Sequence, residues 1–300
     1  MLTRAAFSLF AVTAPAVYLV VCALLACLLA YPLSFPTRDF LGFHTLTSRG
    51  ATVILVAGLF LVRRRLKLTR ADIGLPPRNN EFAAQFGTAL AVGAIMLTLH
   101  FGLLAGIGAR LLNPGAIDWI RLARLAAKGL AIGLAVAIVE ETVFRGYLLA
   151  ALGRRLTATT AILTSSFYFA GLHFVRSDQR FEPSQITWQS SFRFAADSFA
   201  HLGQIAPDSF LALFTAGVFL GCLRLAIPHG LAWCIGIHAG WVFVIKTLKP
   251  FTHIDYRSDW HGLVSRFDGV IGYLSAGWIS VLILVLVWQR RHRFVETPTA

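Results

Sequence analysis

Apolar runs long enough to cross a lipid bilayer recur along this chain, and they constrain its fold more than any other feature. A spanning helix needs about 20 mostly apolar residues. Such runs cover about residues 5–30, 43–62, 82–107, 126–156, 157–175, 210–227, 231–248 and 269–288. Inside hydrocarbon every backbone N–H and C=O must find a partner within the protein, so runs of this length predict helices. Hydrophobic residues make up 57% of the 300 and charged residues only 14%, against roughly a quarter charged in a soluble domain. The expected fold is therefore all-α: a polytopic transmembrane helix bundle of about eight spans. Residues 176–208, between the fifth and sixth runs, are too polar to span and predict an amphipathic surface helix or a lid.

Residues 1–80 read as an N-terminal transmembrane hairpin and basic loop, and residues 81–300 as a transmembrane bundle of catalytic type. Leu24-Leu25-Ala26-Cys27 loosely resembles a lipoprotein cleavage site, but the apolar run continues past it and is read as a span. The net charge of +13 does not point to nucleic acid, because most basic residues flank apolar runs. There they set topology and meet anionic headgroups, which makes membrane lipid the first expected partner. With eight spans, the clusters at 63–70, 154–155 and 290–293 share one face, which places both termini in the cytoplasm. Cys22, Cys27, Cys222 and Cys234 all lie in apolar segments without a CxxC pair, so neither a disulfide framework nor a thiolate zinc site is indicated.

The fourth run holds Glu140, Glu141 and Arg145 among residues suited to lipid. Charge at that depth is costly and marks a functional-site candidate. At 100° per residue, Gly129, Gly133, Ala137, Glu141 and Arg145 form one stripe at i, i+4 spacing. Its small residues let another helix approach closely, and Glu141 can pair with Arg145. Glu140 lies about 100° around the helix, on the stripe of Val136 and Phe144. That separates a structural pair, Glu141 and Arg145, from a chemical candidate, Glu140. A purely structural polar network is the competing reading.

Two more spans carry a histidine: Phe169-Ala-Gly-Leu-His173 and Gly236-Ile-His238. Glu140 lies 14 residues from Arg154, His173 lies 16 from Thr157, and His238 lies 14 from Arg224 across Pro228. At 1.5 Å per residue these are depths of roughly 20–25 Å, so the three can share one layer. Together they can activate water for attack on a carbonyl, or hold a catalytic zinc with one open position. HExxH, GxSG and GxGD patterns are absent.

Glu140-Glu141-x-x-x-Arg145, then Phe169-x-x-x-His173, then a late His238 resemble the signature of the CPBP family, the CAAX protease and bacteriocin-processing (Abi) proteins. Phe214-Thr-Ala-Gly217-Val-Phe-Leu-Gly221 is similar to that family's glycine-rich sixth-span pattern, physically a close-packing face. The resemblance covers about residues 126–250. It implies an intramembrane endopeptidase that cleaves a membrane-associated protein or peptide. Glu140 and His173 would be its key pair, His238 would assist, and Glu141, Arg145 and Phe169 would support. It further implies a glutamate-activated water with no required cofactor, zinc on Glu140, His173 and His238 being the alternative. The expected location is a bacterial inner (cytoplasmic) membrane, as a multi-pass protein. One departure stands out: four residues after His238 the chain has Val242, where the family often has Asn.

A different function class fits the same residues: a non-catalytic immunity or scaffold protein that keeps the polar layer for packing. A proton-coupled transporter is a third, though no inverted repeat is visible. His44, His100, His201, His229, His253 and His261 read as surface or interfacial. Trp119, Trp260, Trp278 and Trp288 read as interface anchors. The loop 252–261 reads as an exposed connection, with a substrate gate as the sharper alternative.

Overall fold

The computed structural model describes residues 4–37, 41–113, 115, 117–265 and 268–289. The basic cluster at 290–293 lies outside the described residues. Helices dominate. Among the described residues six helical runs are long and apolar enough to cross a membrane: Leu9–Thr37, Phe43–Leu66, Asn79–Gly106, Trp119–Gly153, Pro207–Ala226 and Leu231–Phe251. Two shorter helices, Ala158–Leu172 and Tyr273–Gln289, occupy the expected fifth and eighth positions. The protein is an integral, multi-pass membrane protein with an all-α bundle.

The chain divides into two compact units. The first takes in Met1–Lys67, Arg154–Leu156 and Gly171–Ile205. Its helices are α1 (Arg4–Thr37), α2 (Phe43–Leu66) and α7 (Trp188–Ala200). Cys22, Ala26 and Ala30 recur every four residues along α1 and are all buried, the single stripe expected of a helix with one protein-facing side. Tyr18 donates to the Leu55 carbonyl at 2.5 Å and Arg154 to that of Leu66. The polar segment does form an amphipathic helix. Thr187 and Ser190 make a reciprocal capping box at the start of α7.

The second unit holds α3 (Asn79–Gly106), α4 (Trp119–Glu141), α5 (Leu149–Gly153), most of α6 (Ala158–Leu172), α8 (Pro207–Ala226), α9 (Leu231–Leu248) and α10 (Tyr273–Gln289). At its centre α9 lies between α3 and α4, at separations only small residues permit. A Cβ on Gly240 would stand 2.5 Å from the Leu90 carbonyl oxygen, and one on Gly133 2.7 Å from that of Ala239. The stripe of Gly129, Gly133 and Ala137 thus meets α9, as its small residues suggested. Gly217 and Gly221 likewise face Ser166 and Ile162 on α6.

Asp118 caps α4 by accepting from the backbone N–H groups of Ile120 and Arg121 at 3.0 and 3.3 Å. Residues 119–125, ahead of the apolar run that begins near 126, are therefore the first turns of the spanning helix. The only sheet among the described residues is a two-stranded antiparallel ribbon. It joins β1 (Arg110–Leu112) to β2 (Thr252–Ile254), pairing Leu111 with His253. The start of the 252–261 segment is thus a strand, held by Arg110, which donates to the Thr252 Oγ1 and carbonyl.

Two expectations fail at one place. His100 is buried, and its Nδ1 accepts from the Trp278 indole N–H at 3.1 Å. Its Nε2 stands 3.2 Å from the Val270 carbonyl and 3.1 Å from Ser275 Oγ. His100 is not interfacial, and the Trp278 N–H bonds inside the bundle. Helical reach explains both: α10 brings partners 170 or more residues distant onto the α3 face, beyond the sight of local sequence.

Candidate active site

The fourth apolar run is not a uniform α-helix. Directly after Glu141 the backbone widens into a π-helical stretch, Thr142–Leu148, where the Leu149 N–H bonds the Phe144 carbonyl. Such stretches are rare and concentrate at functional sites. The π stretch carries Arg145 and ends where α5 resumes.

Glu141 and Arg145 are 0% and 1% exposed. Arg145 Nη1 donates to Glu141 Oε1 at 3.0 Å, and Nη2 donates to the Gly217 carbonyl on α8 at 3.1 Å. The Phe169 ring covers the guanidinium, its centroid 4.2 Å from Cζ, a cation–π contact. Phe169 also meets Phe144 edge-on at 5.3 Å and His238 at 6.0 Å. Ser165 on α6 donates to the Phe144 carbonyl at 3.1 Å. The charge pair is thereby tied to α6 and α8 and shielded by aromatic faces, which compensates for its burial.

His238 sits on α9 between Gly236 and Gly240, the two glycines that press against α3. Its Nδ1 lies 2.8 Å from Glu141 Oε1. With Arg145 beside it Glu141 is ionised, and an ionised carboxylate has no hydrogen to give, so Nδ1 is the donor. That bond sets the tautomer and turns Nε2 towards Glu140, whose Oε2 is 3.9 Å away. The distance exceeds a hydrogen bond and suits one shared water or substrate oxygen. Glu140 is 29% exposed where Glu141 is sealed. The adjacent acids have unlike surroundings.

The structure therefore gathers Glu140, Glu141, Arg145, Phe169 and His238 within the second unit. His173 belongs to the first. It is the first residue beyond α6, where the Phe174 and Val175 N–H groups close tight turns onto the Gly171 and Leu172 carbonyls at 3.0 and 3.2 Å. The fifth helix is thus shorter than the run expected over 157–175, because these turns end it before the histidine.

Two features escaped the sequence reading. Glu141 bonds His238 as well as Arg145, so it is more than half of a packing pair. Gly217 supplies a carbonyl to Arg145 in addition to a close-packing surface. Neither leaves a signal in residue types alone, because each depends on how two helices are rotated against one another. Val242 is half-buried, one turn past His238.

Among the described residues no group of three or more His, Cys, Asp or Glu side chains is placed to hold a metal ion.

Comparison with known proteins adds one finding. The sequence pattern of the type II CAAX prenyl endopeptidase Rce1-like family matches residues 122–244, the stretch that contains most of α4, the π-helical turn, α6, α8 and most of α9. No curated protein and no solved structure matches the chain. Motifs and family pattern agree over the same helices: residues 122–244 match the Rce1-like pattern, which is that of the CPBP family.

Proposed function

We propose that the protein is an intramembrane endopeptidase that hydrolyses a peptide bond of a membrane-associated protein or peptide in a bacterial inner membrane. The observation that carries the reading is the polarised His238: Nδ1 bound to Glu141, Nε2 turned to a half-open Glu140 at 3.9 Å. A water bridging that gap gives one hydrogen to Glu140 and points the other at the Nε2 lone pair. Its oxygen is then aimed at a carbonyl carbon. Glu140 takes the first proton as the C–O bond forms. His173, which the resemblance pairs with Glu140, and His238 position the water and stabilise the developing oxyanion. Glu140 then passes its proton to the amide nitrogen as the C–N bond breaks, leaving a carboxylic acid and an amine. Arg145 holds Glu141 ionised, and Glu141 holds His238 in its tautomer.

This sequence of steps uses no metal. Zinc on Glu140, His173 and His238 is the alternative, and the metal content of purified protein together with the effect of a chelator on cleavage decides between them. Purified protein in lipid should cleave a membrane-anchored peptide, and Glu140→Ala and His173→Ala should each abolish cleavage while the fold survives. Undiminished cleavage by both variants would refute the assignment. One feature favours a second reading. Val242 occupies the place of a polar residue frequent in the family, as suits a non-catalytic immunity or scaffold protein. On that reading Glu140→Gln preserves cellular function, while Glu141→Ala still unfolds the bundle.

A further inference from the structure

Helix α7 is built inside out. In a soluble protein an amphipathic helix buries its apolar stripe and exposes its polar one. Here the inward face carries Ser190, Ser191 and Ser198 around a single ring, Phe194. Outward, Trp188 and Phe192 are 46% and 41% exposed, and Phe199 continues their stripe two turns on, at helical spacing. Aromatic rings left on an outer surface need a non-aqueous neighbour.

The first unit indicates which neighbour. Trp188 packs on Tyr31 at 5.0 Å, and Tyr31 in turn on Phe35, near the end of α1. Phe194 packs on Phe43 and His44 at the start of α2. Cys27 donates to the Ser191 carbonyl at 3.2 Å. Helix α7 is therefore seated where the first two spans are joined, at a membrane face. Its outward rings continue a lipid-facing side of α1 on which Leu24, Leu28 and Phe35 are exposed. At 13 residues it is about 20 Å long, too short to cross.

We propose that α7 is an interfacial helix, its Trp188–Phe192–Phe199 stripe sunk into the headgroup–acyl boundary where α1 and α2 are joined. The charge balance says how it is held. Residues 176–204 contain three arginines (176, 180, 193) and three carboxylates (178, 182, 197), a net of zero. Apolar burial holds the helix, without help from anionic lipid. The chain runs directly from His173 through this segment into α7, so the anchor sets the membrane depth of the stretch that follows that histidine.

The test uses the full-length protein in phosphatidylcholine bilayers. An environment-sensitive fluorophore is placed at Phe192→Cys or Ala195→Cys on the stripe, and at Arg193→Cys beside it. The native Cys22, Cys27, Cys222 and Cys234 are all buried and leave labelling selective. Labels at 192 and 195 should emit to the blue of the label at 193. Lipids brominated near the headgroup should quench them, and aqueous iodide should leave them bright. Adding anionic lipid should leave the pattern unchanged. Equal iodide quenching at 192 and 193 overturns the proposal, and so does shielding from both quenchers, which marks a covering protein surface. Quenching by bromolipid that appears only with anionic lipid overturns the apolar anchoring.

Discussion

Two histidines in the second unit stand in apolar helices, both buried, and their surroundings differ in one respect. His100 on α3 meets only neutral groups: an indole N–H on Nδ1, and a carbonyl and a hydroxyl on Nε2. The indole can only donate, so Nδ1 accepts and Nε2 carries the hydrogen. Both nitrogens are satisfied, and a proton added to Nδ1 would break the indole bond. His238 on α9 has a carboxylate on Nδ1 and a second carboxylate 3.9 Å from Nε2. Burial alone therefore identifies neither a site nor a strut. The distinguishing feature is a ring nitrogen left facing a group with which it can share a proton.

The sharpest way to break the His238 side is to remove the cation behind it. Arg145→Ala leaves Glu141 ionised and buried beside one neutral imidazole, and stranding a buried charge costs about 3–5 kcal/mol. A matching drop in unfolding free energy in detergent is expected. An unchanged unfolding midpoint would mean that water already reaches Glu141.

Glu141→Gln is gentler, since the amide keeps the shape and can still accept from Nδ1. It removes the carboxylate that fixes the tautomer of His238 and allows the ring to flip. Losing an orienting carboxylate of this kind costs roughly 10–100-fold in activity. Cleavage rates should fall by that factor while the thermal midpoint shifts little. If activity is unaffected, the tautomer is set by some other contact.

His100→Phe supplies the control. The aromatic volume stays, but the Trp278 N–H and Ser275 Oγ lose a partner, at about 1–3 kcal/mol for buried polar groups so stranded. The thermal midpoint should fall and the cleavage rate per folded molecule should not. A change in the pH profile of cleavage would show that His100 belongs to the chemistry after all.

The contrast also shows what residue types alone can and cannot reveal. Helical spacing placed Glu141, Arg145 and the small residues before them on one stripe, and that stripe does meet α9. The boundaries of α9 followed from its apolar run, because Gly230 and Lys249 bracket a predominantly hydrophobic segment. The π-helical turn after Glu141 had no such signature, since nothing in Thr142–Leu148 forbids an ordinary α-helix. The Glu141–His238 bond joins residues 97 apart, and only the glycine-limited approach of α4 and α9 brings them together. His100 was misread for the same reason: its partners are remote in the chain. Periodicity reports which face a residue occupies, whereas the identity of its partner depends on inter-helix rotation.

A third histidine extends the comparison outside the spans, where protonation is cheap. His201, just past α7, places Nε2 3.2 Å from Asp178 Oδ2 and Nδ1 2.9 Å from the Asp197 carbonyl. Asp197 accepts from Ser177 Oγ at 2.6 Å and from the Asp178 N–H at 3.2 Å. His44 faces the same loop through the Ser177 carbonyl at 3.2 Å, and Arg176 and Arg180 flank it in sequence. The Asp197 backbone carbonyl, with the two carboxylates, raises the His201 pKa above its ordinary 6.5. The Ser177 hydroxyl leads the bonds that lower that of Asp197 below its ordinary 3.8. The signs define a window. A raised histidine stabilises fully below its unfolded value, and the gain is lost as pH rises through the folded one. A depressed carboxylate stabilises above its unfolded value, and the gain is lost as pH falls through the folded one. The loop 174–187 should thus be held most firmly between about pH 4 and 6.5. Amide exchange of that segment, corrected for intrinsic rates, should be slowest in this window and quicken above it. His201→Gln should remove the upper limb and leave the lower one. Because Asp178 is largely water-accessible, the effect should be the smallest of the four, and an exchange profile flat with pH in the native protein would remove His201 from any structural role.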